Sequence, residues 1–458
     1  MAKFVRFFKK ILKAFASLRL AVVLLLILSI LICIGTIVES RLDAHAAKVF
    51  VYGSVWMQLT MGLLVVSLIA VIADRWPWQR KHAAFILAHI GVIMIVAGSI
   101  ITQQKGIDGT IRLVPGEKSA AVTVPETELI LYRSKDGASY DIVHSEPVQF
   151  LKNPITPEKP FLIKTKESEI EIVESVPYGV PKRNVQNSLI AQSGAGLRFQ
   201  MMNDRIQTLE WLVQRNVFEK INFDMGPVLV SMGGLWQRNL ERHEIRLVPQ
   251  PNGAQYSFYQ KNQAEPTAKG ELVEGDKVHT PWMGLEFRML RYFPKAELKW
   301  DLEKMDHPTP QSTAALLVRQ GGHENWLFLN DYLKIFTESH VYLLSYRNRQ
   351  VDLGFPLELK EFRKTQYPGS SKAMAYESTV SYADGKEVVI SMNEPLQYDG
   401  FSVYQAGFDP LPNSSSQFAS ILSVNRDPGR PLKYLGSLIM TLGILLLFYF
   451  RKQYRKKS

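Results

Sequence analysis

The chain has 458 residues, a net charge of +11 and 46% hydrophobic residues. Its basic excess gathers beside apolar runs rather than in a nucleic-acid-binding patch. With one cysteine it can form no internal disulfide, CxxC redox pair or CxxCH haem-attachment site, which excludes a thioredoxin-like enzyme and a c-type cytochrome.

Residues 1–19 carry Lys3, Arg6, Lys9, Lys10, Lys13 and Arg19 and no acid. Phe4, Phe7, Phe8, Ile11, Leu12 and Phe15 recur at spacings of three and four between the lysines. This amphipathic pattern suits a helix lying on an inner leaflet, and equally a simple extension of the helix that follows.

Four nearly pure apolar runs come next in chain order: 20–38, 56–73, 83–102 and 434–450. A hydrocarbon core of ~30 Å needs ~20 helical residues, so each run is expected to span a membrane. The first run is longer than the core of a signal peptide. Cleavage at the small-residue sequence Ala44-His45-Ala46 is therefore not expected. Arg75, Arg80 and Lys81 sit in the loop between the second and third runs, and the tail 451–458 is basic. Positive residues flanking spans mark the cytoplasmic side. Four spans with both termini inside put all three basic segments there. Residues 103–432 then lie outside. Trp56, Trp76 and Trp78 read as interface anchors.

In the third run Ala84, Ala88, Gly91, Ala97 and Gly98 offer small side chains for close helix approach. The same run holds His89, with His82 seven residues earlier at its boundary. An ionisable residue inside a span is costly and marks a functional site by default. Three roles fit His89: an axial ligand of haem iron, a quinone or proton site, or a structural histidine bonded to a backbone carbonyl or to the hydroxyl of Thr60 or Ser67.

The segment 103–432 reads mostly as short β-strands. A helix is expected at Leu197–Phe218, where Phe199, Met202, Ile206, Leu209 and Leu212 keep helical spacing. Residues 150–185 and 250–270 read as polar, Pro-rich loops. A division into two β lobes is expected near residue 285. The fold class is therefore an integral membrane protein: four transmembrane helices, with a large β-rich extracytoplasmic domain between the third and fourth. The other histidines form no metal-ligand spacing. No nucleophile elbow or phosphate loop is present, so the chain carries no self-contained catalytic site.

Several stretches together carry a family likeness. They are Leu18-Arg19-Leu20-Ala21-Val22-Val23-Leu24 running to Gly35-Thr36, and Ala88-His89-Ile90-Gly91 with Gly98. Further on stand Met392-Asn393-Glu394-Pro395-Leu396-Gln397-Tyr398-Asp399-Gly400-Phe401 with Tyr404-Gln405, and Asp427-Pro428-Gly429 with Gly436. The chain resembles the ResB family (Ccs1 in plastids) of system II cytochrome c biogenesis. It departs from the family after Gln405, where Ala406-Gly407-Phe408 replaces the frequent Ser-Ser-Tyr. The resemblance implies a bacterial cytoplasmic (inner) membrane protein. Its partner would be a CcsA/ResC-type protein, and the pair would carry haem b outward to the CxxCH motifs of apocytochrome c. On that model His89 matches the intramembrane axial ligand, and His82 is a transient relay. The competing readings are a scaffold for cytochrome assembly that binds no haem, and a quinone- or proton-linked membrane subunit.

Overall fold

A computed structural model of the chain describes residues 2–165, 167, 169–233, 240–369, 373–383, 385–411 and 418–455. It divides into two compact units. The first contains residues 1–177, 314–316 and 327–458, and the second contains residues 178–313 and 317–326.

The helices of the first unit are α1 (Ala2–Phe15), α2 (Leu18–Arg41), the short α3 (Ala44–Ala47), α4 (Val55–Ala73), α5 (Ala83–Lys105) and α6 (Arg430–Arg455). Four of these segments, Leu18–Arg41, Val55–Ala73, Arg80–Lys105 and Arg430–Tyr449, are long and apolar enough to cross a membrane. Leu26, Ile30 and Ile37 on α2 and Trp56 on α4 are more than half exposed. A continuous apolar surface of that size requires lipid or another protein against it. This is a membrane protein.

α1 is a helix of its own. Ser17 takes an extended conformation (φ −71°, ψ 130°) that separates it from α2. Ser67 Oγ on α4 donates to the Phe15 carbonyl at 2.9 Å, which satisfies one of the orphan acceptors at the end of α1. The alternative of α1 as an extension of the first span is therefore set aside.

α5 packs chiefly along α6. The seam is built from small residues spaced by sevens. A Cβ added at Gly91 would stand 2.5 Å from the Met440 nitrogen, and one at Gly98 would stand 2.9 Å from the Gly429 carbonyl. One added at Gly443 would stand 2.4 Å from the Ala88 nitrogen. Rising along α5 therefore meets falling numbers on α6, so the two helices are antiparallel with backbones in contact. The small residues named from the sequence do pack helices. Their partner, however, is the last helix of the chain.

The end of this pair that adjoins the strands is fastened by Asp427. Its carboxylate accepts from Thr102 Oγ1 at 2.5 Å, from Lys433 Nζ at 2.7 Å and from the Gly429 amide at 3.1 Å. Partial burial pushes the Asp427 carboxyl up, but the bonds from Lys433 and Thr102 outweigh it and hold the group below its ordinary value. A depressed carboxylate contributes stability above its unfolded pKa, and that contribution is lost as pH falls through the folded value. Asp427→Asn is expected to cost about 1–3 kcal/mol near neutral pH. The difference from wild type should shrink below about pH 4, the ordinary aspartate range. Thermal unfolding in detergent across that pH range checks both points.

In chain order, strands from Ile107 to Arg426 occupy the interval between α5 and α6. Strand Ile107–Leu113 starts directly after Gly106 and pairs antiparallel with Phe418–Arg426, the strand that leads back to α6. The ten-stranded sheet continues through Lys118–Ser134 and Val341–Gln366 on one side and Phe401–Pro410 on the other. Its strands alternate as a half-buried sheet should: Ile111 and Leu113 are buried, while Asp108, Thr110 and Arg112 are exposed. Ile111, Leu113, Leu357, Val380, Val403 and Leu422 belong to one apolar core.

The second unit has its own core, centred on Phe199, Phe258 and Phe287, with Phe199 and Phe287 stacked at 5.4 Å. Three expectations are corrected. Leu197–Phe218 is not a helix but contains the antiparallel pair Gly196–Met202 and Gln207–Val213. Leu197, Phe199 and Met201 are buried and alternate with Arg198 and Gln200, a period of two that outweighs the coincidental spacing of three and four. Residues 150–185 and 250–270 are not simply loops. Strands Phe161–Lys164, Glu169–Asn187 and Gly253–Tyr259 run through them, because alternation such as Ile170, Ile172 against Glu169, Glu171 is enough to build a strand among polar residues. Residue 285 does not divide two lobes. Leu285 is buried in the core of the second unit, and the divisions fall near 177 and between 313 and 327.

Candidate functional site

The site is the N-terminal half of α5 and the loop before it. α4 ends at Ala73, and Trp78 Nε1 donates to the Ile72 carbonyl at 3.0 Å, tying the loop to the helix it leaves. Trp76 and Trp78 meet edge to face, and both are more than half exposed, as interface residues would be. The 3₁₀ turn Arg80–His82 then starts α5. His82 Nδ1 accepts from the Gln79 amide at 3.4 Å. The neutral ring thus spends its Nδ1 lone pair on the helix start and carries its proton on Nε2.

His89 has the opposite arrangement. Its Nδ1 lies 2.9 Å from the Phe85 carbonyl one turn earlier. A carbonyl can only accept, so Nδ1 carries a proton, and in the neutral ring Nε2 keeps a lone pair. A backbone acceptor fixing one ring nitrogen so that the other can bind is the usual support of a metal-ligating histidine. The two hydroxyls proposed as neighbours are engaged elsewhere: Thr60 bonds the Trp56 carbonyl, and Ser67 the Phe15 carbonyl. His89 is partly exposed, beside rather than on the seam formed by Ala84, Ala88 and Gly91.

The imidazole is held from one side by Phe85, with ring centroids 3.9 Å apart and planes at 32°. The Arg75 guanidinium carbon lies 3.5 Å from the same Phe85 centroid. Two groups that close to one centroid would overlap if they shared a face. Phe85 is therefore sandwiched, with imidazole on one face and guanidinium on the other.

Among the described residues no group of three His, Cys, Asp or Glu is disposed to hold a metal ion. His144, His279 and His340 sit beside carboxylates, and His243 stacks on Trp282. Cys33 is exposed on α2. His89 offers a single ring nitrogen, Nε2, to a ligand. That donor set does not fit a bare metal ion, but it fits iron whose equatorial positions are filled by a macrocycle.

A second feature was legible only as a motif. Leu396–Tyr398 and Phe401–Pro410 form a hairpin with Tyr398 opposite Phe401. Its two turn residues, Asp399 (φ 47°) and Gly400 (φ 77°), both lie in the left-handed region that a tight hairpin turn needs. Gln405 is buried behind it. Its Oε1 accepts from Ser378 Oγ at 2.6 Å, and its Nε2 donates to the Gly407 carbonyl at 2.8 Å and to Ser420 Oγ at 3.1 Å. The network joins three strands in a core where every polar atom needs a partner. Gln405→Leu is expected to cost about 1–3 kcal/mol, since it removes the side-chain partner of the Gly407 carbonyl and leaves Ser378 only its bond to Ser420 Oγ. Chemical denaturation of the purified protein measures it, and a loss within error would assign the network no structural role.

Comparison with a family model bears on this hairpin. Residues 318–419 match the ResB-like family. Protein NrfI of Wolinella succinogenes is 35% identical over 107 residues, a stretch that makes up 22% of this chain and 11% of that protein. The chain thus aligns with about a tenth of that relative's length. The resemblance to the ResB family is established across residues 318–419, through the strands that carry the Asp399-Gly400 turn and the Gln405 network.

Proposed function

We propose that this chain is a haem-handling subunit of system II cytochrome c biogenesis. It acts with a CcsA/ResC-type partner to move haem b across the bacterial cytoplasmic membrane and to present it to the CxxCH motifs of apocytochrome c. The observation that carries this reading is the free Nε2 lone pair of His89 inside an apolar helix. Bound haem supplies an iron centre that accepts that lone pair and vinyl groups that later become thioethers.

The chain's own residues do the rest. The Phe85 carbonyl fixes the tautomer of His89, and the Phe85 ring fixes its plane. The α5–α6 seam keeps the helix rigid behind it. Positive residues in 1–19, 74–82 and 451–458 support a topology with both termini cytoplasmic and the strands of 107–426 outside. The antiparallel course of α5 and α6 agrees with it. His89 then stands two turns in from the cytoplasmic face, where a cargo from the cytoplasm would enter. A single ligand on this chain also suits transfer: the second axial position stays open to a histidine of the partner, so the cargo is shared and can be passed on. His82 serves as a relay only when its bond to the Gln79 amide opens.

The test is to co-express the chain with a CcsA/ResC-type protein, purify the pair and record the Soret band, alongside haem staining of c-type cytochromes with the chain deleted. Haem in the purified pair and loss of all covalent haem on deletion are expected. Normal cytochrome c maturation without the chain would end this reading.

A further inference from the structure

We propose that Arg75 is the carboxylate anchor of the His89 site, so that the site selects an amphipathic anion: a planar iron macrocycle with free carboxylates at its edge. The proposal rests on the reading of His89 as an iron ligand and adds a recognition residue to it.

Three observations carry it. Arg75 and His89 are held by one aromatic ring, Phe85, with their groups on opposite faces. Among the described residues Arg75 has no carboxylate partner, and its guanidinium carbon lies 3.5 Å from the Phe85 centroid, a separation that suits a flat stack. Its in-plane N–H donors, which are the part that grips a carboxylate in a two-pronged fork, remain available. Finally, Arg75 belongs to the exposed loop after α4, at the boundary of the apolar helices, whereas His89 lies two turns into α5.

The pair thus offers an imidazole nitrogen at depth and an anion-binding fork at the surface. A ligand that satisfies both has an apolar body carrying a metal and an acidic rim turned to the aqueous side. An uncharged planar ring would engage His89 alone. Phe85 couples the two ends mechanically, because a rotation of its ring disturbs both the imidazole and the guanidinium.

The experiment titrates the full-length protein, purified with its partner in lipid nanodiscs, with ferric haem b and separately with its dimethyl ester. Soret absorbance reports binding and the axial ligand. Wild type is expected to bind the free acid roughly tenfold tighter than the ester, the scale of one charge-assisted bond pair. Arg75→Gln should erase that preference and leave the Soret position unchanged, and Arg75→Lys should keep part of it. Equal affinity of wild type for acid and ester would overturn the proposal, and this comparison needs no variant to fold. So would a preference that survives Arg75→Gln, which would leave Arg75 as a membrane-surface cation only. A wild-type spectrum lacking imidazole-ligated iron would instead remove the reading of His89 on which the proposal stands.

Discussion

Replacing His89 with alanine is expected to lower the haem content of the purified complex at least roughly tenfold, the loss that about 1.4 kcal/mol of binding free energy produces. The reason is local. Nε2 of His89 carries the lone pair of the site, and among the described residues no group of three His, Cys, Asp or Glu is disposed to hold a metal ion in its place. Alanine is a strong helix former, so α5 itself should persist. His89→Gly with added imidazole provides the sharper measurement. The Phe85 carbonyl and ring remain in place after the substitution, so a free imidazole entering the gap finds the same acceptor for its N–H and the same stacking partner. Recovery of the Soret band and of cytochrome c maturation is the expected result. Unchanged haem content in His89→Ala would make His89 structural and return the chain to the scaffold reading.

The second large effect concerns the helix pair. Gly91→Leu is expected to abolish the native packing of α5 on α6. An overpacked core ordinarily costs about 1–3 kcal/mol because neighbouring side chains can shift. At Gly91 the obstruction is backbone: the Met440 nitrogen and the Gly436 carbonyl stand at 2.5 and 2.6 Å from the position of an added Cβ. Relief requires the two helices to separate, which also pulls at Asp427 and Thr102 where the pair is fastened. Gly436→Leu meets the same wall from the other side, with the Gly91 carbonyl at 2.7 Å. Gly62→Leu on α4 is the control, since nothing lies within 4 Å of its added Cβ. Thermal stability in detergent should fall sharply for the first two and stay within error for the third. A stable, monodisperse Gly91→Leu protein would show that the seam is not needed.

These predictions differ in what supports them. The ResB-like family model matches residues 318–419, which are strands, and its match does not include α5. His89 therefore stands on the cost of its position in an apolar helix and on the tautomer fixed by Phe85. Gln405 stands on both likeness and geometry, and its surroundings are those of a core residue.

The four apolar helices, the charge beside them and the strand-rich interval between the third and fourth were all determined by the sequence itself. Apolar length, flanking lysines and period-two alternation are local properties, and lipid and sheet formation read them directly. His89 was singled out for the same reason, because its cost follows from one residue in one run. Only the tertiary structure decided the rest. That α6 is the partner of Gly91 and Gly98 depends on backbone contact between helices more than three hundred residues apart. That residues 197–213 form strands rather than a helix depends on which period the core rewards, since Phe199 and Leu212 fit both. The Arg75–Phe85–His89 column needed the loop after α4 to fold back over α5, and the Ser378–Gln405–Ser420 network needed three strands in register. In each case the decisive term is a contact between separate segments of the chain, which no local pattern encodes.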